Sequence, residues 1–132
     1  MKGVAYLFFA LGVVSVTLGM AWGIQMSATH DHALSPAHAH LNLIGWVTFG
    51  LIGVYYHLHP AVAGGALARL HFAVAAAGLF ALVPGIVLAV TGQGEGLAIA
   101  GSMLTLAGMV LFLVVVLRGE RSRDARLKQQ PA

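Results

Sequence analysis

Four long apolar runs alternate with short polar stretches along the chain. Residues 3–27 are almost unbroken apolar sequence, and residues 28–37, ATHDHALSPA, are polar and carry a proline. Residues 38–59 are apolar again and close on HLHP. Residues 68–92 form a third run, a TGQGEG turn follows, and residues 96–117 form the fourth. Each run has about 20 residues or more, enough at about 1.5 Å per residue to cross a hydrocarbon core of about 30 Å. Alternation with a period of two is absent, and the runs are too long for membrane strands. The pattern predicts an all-α integral membrane bundle of four transmembrane helices over residues 1–118, followed by a basic tail over 119–132. The first run exceeds the roughly 7–15 apolar residues of a signal peptide, so it is read as a retained anchor.

Composition agrees with the pattern. Of the 132 residues, 59% are hydrophobic and 8% charged, with a mean hydropathy of +0.88. A soluble domain is roughly 25% charged. There are no cysteines, which excludes disulfides, thiolate metal sites, iron–sulfur clusters and covalently attached c-type haem. No Walker loop, dinucleotide fingerprint or Ser-His-Asp signature is present. Asp31 and Glu95 are the acids outside the tail, so paired-carboxylate catalysis is not supported.

Charge gives an orientation. Arg118, Arg121, Arg123, Arg126 and Lys128 crowd the end of the chain, Lys2 precedes the first run and Arg69 opens the third. With four crossings all of these fall on one side. The opposite loops hold THDH and Glu95, without Lys or Arg. The positive-inside rule then places both termini in the cytoplasm and the tail beside anionic lipid rather than on nucleic acid.

The chemistry concentrates in PAHAHLNLIGW, residues 36–46. Successive residues of an α-helix turn by about 100°, so His38 and His40 point about 200° apart. If the helix already runs at His38, the two imidazoles cannot hold one ion and must serve different neighbours. The His38 face continues through Asn42, Gly45, Phe49 and Tyr56, and the His40 face through Ile44, Val47, Leu51 and Val54. An imidazole in hydrocarbon needs a partner, so both faces are expected to bury against something other than lipid. From the residues alone, ligation and a simple headgroup-facing role both stay open.

Two consecutive segments carry a resemblance. HAHLNLIGW with GVYYHLHP behind it resembles helix ten of the haem–copper oxidase subunit I family, which opens with His-x-His, has a glycine about two turns on and ends in an aromatic pair before a proline. The spacing from His38 to Trp46 is most similar to the C-type oxidase and nitric oxide reductase branch. The segment ARLHFAVAAAGLFALVPG resembles the family's helix eleven. The likeness covers about 50 of the 132 residues, and the first and fourth helices match only as apolar spans.

The resemblance implies a short relative of helices nine to twelve. In the family, the two histidines of helix ten bind two different haems, one on each face. Its twelve helices form three pseudo-equivalent groups of four, so a homotrimer of this chain would supply the missing eight. His40 of one protomer and His38 of its neighbour would then be the axial ligands of a b-type haem, three haems per trimer, with Asn42 and Gly45 beside the ring. The implied role is electron transfer, haem handling or redox sensing in a bacterial inner membrane, with a respiratory redox partner. The family's copper site needs an adjacent histidine pair, which this chain lacks, so oxidase chemistry by the chain alone is not expected. The family's propionate-binding arginines also have no counterpart in the outer loops; His30, His32, Gln93, Trp22 or backbone N–H groups would have to substitute.

Two other readings stand beside the haem. His30 and His32, with His38 and His40, can be ligands of copper or zinc, and the chain can be a cofactor-free accessory subunit of a respiratory complex. His57, His59 and His71 are expected at the other membrane surface, as interfacial residues beside Tyr55 and Tyr56 or as a second metal group. Met20, Met26, Met103 and Met109 are read as packing residues rather than sulfur ligands. Pro84 is expected to kink the third helix.

Overall fold

The structure, a computed structural model, describes residues 1–127, with side chains through residue 119. Its elements are α1 (Gly3–Thr29), α2 (Ser35–His40), a π-helical segment (Leu41–Thr48), α3 (Phe49–Leu58), the short α4 (Pro60–Ala63), α5 (Ala66–Val90) and α6 (Gly96–Leu127). No strand occurs among the described residues. α2, the π-helical segment and α3 are continuous, so four helices are long and apolar enough to span a membrane: Gly3–Thr29, Ser35–Leu58, Ala66–Val90 and Gly96–Gly119. The expected all-α fold with four spans is what is observed.

Most boundaries fall within two residues of the sequence expectation, and two differ by more. The second span begins at Ser35, not at residue 38. Thr29 ends α1, and His30 turns the chain in the left-handed region at φ 56°. The Asp31 carboxylate then accepts from the Ala33 N–H at 3.0 Å, and the Ser35 hydroxyl donates to the His32 carbonyl at 2.7 Å. Pro36 follows in the first turn, where its fixed φ suits a helix and its missing N–H costs nothing. His38 and His40 therefore lie inside a formed helix. The fourth helix, expected to stop at 117, continues as backbone through Leu127 because no proline interrupts it; the rest of the predicted tail, from Lys128, lies outside the described residues.

α1 packs along the second span, and α5 packs along α6. Lipid offers no hydrophobic drive between helices, so close backbone approach and van der Waals contact hold such pairs together. Small residues provide it. A Cβ at Gly45 would lie 2.6 Å from the Ser15 side chain, and one at Gly53 would lie 3.0 Å from the Phe9 backbone nitrogen. On the other pair, Gly101 sits directly on the backbone of Leu82, and Gly85 on that of Ala98. The α5–α6 turn uses Gly92 at φ 74° and Gly94 at φ 125°, which residues with a Cβ adopt only with strain. Pro84 lies inside α5, where it removes one backbone donor.

The core is aromatic. Phe8, Phe49, Tyr56 and His71 are its largest fully buried side chains. Phe8 is the hub, with ring centroids 5.1 Å from Phe49, 4.9 Å from His71 and 5.0 Å from Phe72. This corrects the interfacial placement of His71. Its ring is 0% exposed, Nδ1 lies 2.9 Å from the Tyr56 hydroxyl, and the Phe112 ring stacks on it at 5.4 Å. Tyr56 satisfies Nδ1 and phenyl rings cover the faces, while Nε2 has no hydrogen-bond partner among the described residues.

Candidate functional site

α2 and the first turn of the π-helical segment build the site. On His40, Nδ1 lies 2.7 Å from the Pro36 carbonyl. A carbonyl only accepts, so Nδ1 carries a proton, and in the neutral ring Nε2 keeps its lone pair. The ring is exposed, with that lone pair unused by the bond to Pro36. This is the posture in which an imidazole serves as a ligand, with one nitrogen fixed by backbone and the other turned outward. The helix around it presents Leu43 at 61% exposure, Val47 at 44% and Leu51 at 68%. His40 thus stands at the head of an apolar face that nothing among the described residues covers.

His38 turns the other way. Its ring is half-buried against α1, where Trp22 meets it edge-on at 6.2 Å. Gly23 leaves room for it: a Cβ there would lie 3.2 Å from His38 Cε1. The Asn42 amide donates to the His38 carbonyl at 2.9 Å and lies 3.3 Å from Nε2. Asn42 in turn lies flat on Gly19, in space a Cβ would fill. Beside His38 runs an open groove of about 650 Å³, walled by Met20, Gly23, Ile24 and Ser27. The divergence argued from helix geometry is present: the two imidazoles serve separate surfaces.

Gly45 lies away from both surfaces. It is buried against Ser15 and Leu79, where it serves the contact of α1 with the second span. Of the two faces read from sequence, Asn42, Gly45, Phe49 and Tyr56 turn inward and Val47, Leu51 and Val54 outward, but Ile44, expected on the His40 face, packs against the core.

The remaining candidates do not gather. No group of three or more His, Asp or Glu side chains that could hold a metal forms among the described residues. His30 is the capping residue of α1 and His32 is exposed in the turn. At the far end, the His59 ring stacks on Tyr55 at 4.2 Å and its Nδ1 bonds the Tyr55 carbonyl at 2.9 Å. His57 is exposed and His71 is buried, so the three diverge. Gln93 donates to the Thr91 hydroxyl at 2.9 Å, within its own turn. Of the methionines, Met26 packs inside the chain at 6% exposure, whereas Met20 and Met103 lie outward at 65% and 64%.

Two features escaped the sequence reading. The π-helical segment begins directly after His40, where the Thr48 hydroxyl donates to the Leu43 carbonyl five residues back at 3.0 Å. Such segments recur at functional sites. The second is the Tyr56–His71 pair. Tyr56 falls on the inward face already drawn through His38, and a buried phenol needs a partner, but nothing in one sequence points to His71 as that partner.

Set against known protein families, curated proteins and solved structures, the chain matches none.

Proposed function

We propose that this chain is a b-type haem protein of the membrane, in which His40 of one protomer and His38 of the next are the axial ligands of a shared iron. The observation that carries the reading is the pair of divergent imidazoles on one helix. His40 offers an outward Nε2 from an uncovered apolar face, while His38 borders a groove on the opposite side. One helix cannot turn both to one iron, so a shared iron needs two copies of the chain. Copies related by a closed rotation satisfy every such pair at once, and three copies supply twelve spans, the number in the oxidase subunit that residues 38–85 resemble.

The residues fit the group. Gly23 leaves room for the His38 ring and Gly19 for Asn42, the groove is mostly apolar as a porphyrin requires, and Asn42 and Ser27 are its polar members beside His38. Bound there, the haem would supply one-electron redox chemistry. The chain's own part is to fix the His40 tautomer through Pro36, to hold the His38 ring against Trp22 and Asn42, and to shield the site with apolar helix faces. Holding a haem would use both histidines, and the chemistry it would supply is then electron transfer, haem handling or redox sensing rather than turnover of a gaseous substrate. The termini lie in the cytoplasm by the distribution of Lys2, Arg69 and Arg118, and the proposed compartment is a bacterial inner membrane.

The test is the optical spectrum and the detergent-corrected mass of the purified protein. The expected result is a red trimer with sharp α and β bands on reduction. A colourless protein overturns the haem assignment; copper or zinc at one ion per chain would replace it with the metal-binding reading. A coloured monomer that keeps six-coordinate spectra overturns the shared ligation.

A further inference from the structure

A cleft opens on the far side of the core from His38. α6 packs along α5 and touches α4, and among the described residues its backbone does not approach that of the second span. The Phe112 ring bridges the gap at one end, with centroids 5.2 Å from Tyr55 and 6.2 Å from Tyr56. Above that bridge lies a cavity of about 180 Å³ between the second span, α5 and α6. Ile44, Ile52 and Met109 give it apolar walls.

Two polar atoms in its lining are buried and lack hydrogen-bond partners among the described residues: His71 Nε2 and Thr105 Oγ1. Orphaned polar atoms at bilayer depth are costly, and a native chain leaves few. Their direction can be assigned. The Tyr56 phenol must give its proton to an acceptor, and the one within reach is His71 Nδ1 at 2.9 Å. Neutral His71 with Nδ1 accepting carries its proton on Nε2. The cleft therefore presents an N–H at His71, level with Phe112, and a hydroxyl at Thr105, level with Gly78, about 10 Å apart along the α5–α6 seam at about 1.5 Å per residue.

Water is a poor occupant. The volume corresponds to roughly six waters at about 30 Å³ each, and each water needs two to four polar partners; His71 Nε2 and Thr105 Oγ1 can hold one or two, and the apolar walls offer the rest nothing. The volume is below that of a site enclosing a whole drug-sized molecule, which starts at about 300 Å³. It suits a ring-sized head whose apolar remainder continues outward past Met109, a residue 42% exposed. We infer that the cleft between the second span and α6 binds a membrane-soluble dicarbonyl compound of the quinone class, with one carbonyl oxygen accepting from His71 Nε2 and the opposite one from Thr105 Oγ1. The site is independent of the haem, since neither His38 nor His40 lines it.

The test uses the full chain in lipid nanodiscs with decylubiquinone labelled with 13C at its carbonyls, in wild-type and His40→Ala protein. The expected result in both is saturable binding of one quinone per chain, with its two carbonyl stretches moved to lower frequency. Thr105→Val keeps the side-chain shape and should weaken binding about fivefold, as one neutral hydrogen bond is worth about 1 kcal/mol. His71→Phe should return one of the two carbonyl stretches to its free frequency; should that variant fail to fold, the Thr105 result decides. Uptake that grows with lipid content without saturating overturns the site, as does unchanged affinity in Thr105→Val. Displacement of the quinone by methyl oleate at equal concentration overturns the quinone assignment.

Discussion

Replacing Tyr56 by Phe removes one oxygen from the centre of the bundle and leaves the stacked rings in place. Tyr56 is 1% exposed and His71 is 0% exposed, and their bond is 2.9 Å long. Without the phenol, His71 Nδ1 has no replacement donor among the described residues. A buried group left unpaired costs about 1–3 kcal/mol, and hydrogen bonds measured inside membranes average about 0.6 and reach about 1.7 kcal/mol. The expectation for Tyr56→Phe is therefore about 1–1.5 kcal/mol of lost stability. His71→Phe orphans the phenol and should cost a similar amount, since Phe retains contact with Phe8 at 4.9 Å and Phe112 at 5.4 Å. The double variant removes both polar partners and should be no less stable than either single one. Reversible unfolding in mixed micelles, read by circular dichroism across this double-mutant cycle, measures the coupling. Additive losses, with the double variant the least stable, would refute both the bond and the His71 tautomer drawn from it.

Other outcomes follow from backbone contacts. Gly101→Leu should separate α5 from α6, because a Cβ at that position meets the Leu82 backbone and cannot be relieved by a side-chain rotation; a loss of about 3 kcal/mol or more is expected in the same unfolding assay, at the upper end for overpacking. Gly92→Ala, at φ 74°, should cost about 1–2 kcal/mol from left-handed strain alone. Gly96→Ala, with open space around it and a helical backbone, should be neutral or slightly stabilising.

Much of the architecture was readable from residue order because it rests on length and apolarity. Runs of this length have few alternatives to a spanning helix, and the observed spans agree with the runs to within a few residues. The opposed directions of His38 and His40 were equally legible, since they depend on helical rotation and nothing else. The start at Ser35 was missed because SPA reads as polar loop, whereas Pro36 in a first turn favours the helix it seemed to exclude. The π-helical segment was not legible: its LNLIGWVT has no sequence mark of a wider turn. Burial of His71 depended on Tyr56, fifteen residues away and on another helix, a pairing that neither periodicity nor composition encodes. The His40 tautomer also needed coordinates, because it is set by where the Pro36 carbonyl points.

The central claim is that His38 and His40 of different copies meet on one haem. The reduced-minus-oxidised spectrum of the wild type beside His38→Ala, His40→Ala and His59→Ala tests it most directly. A six-coordinate low-spin spectrum is expected in the wild type, with its loss in both His38→Ala and His40→Ala and its full retention in His59→Ala. A wild type without a Soret band, or a spectrum that survives loss of either outer histidine, would contradict it.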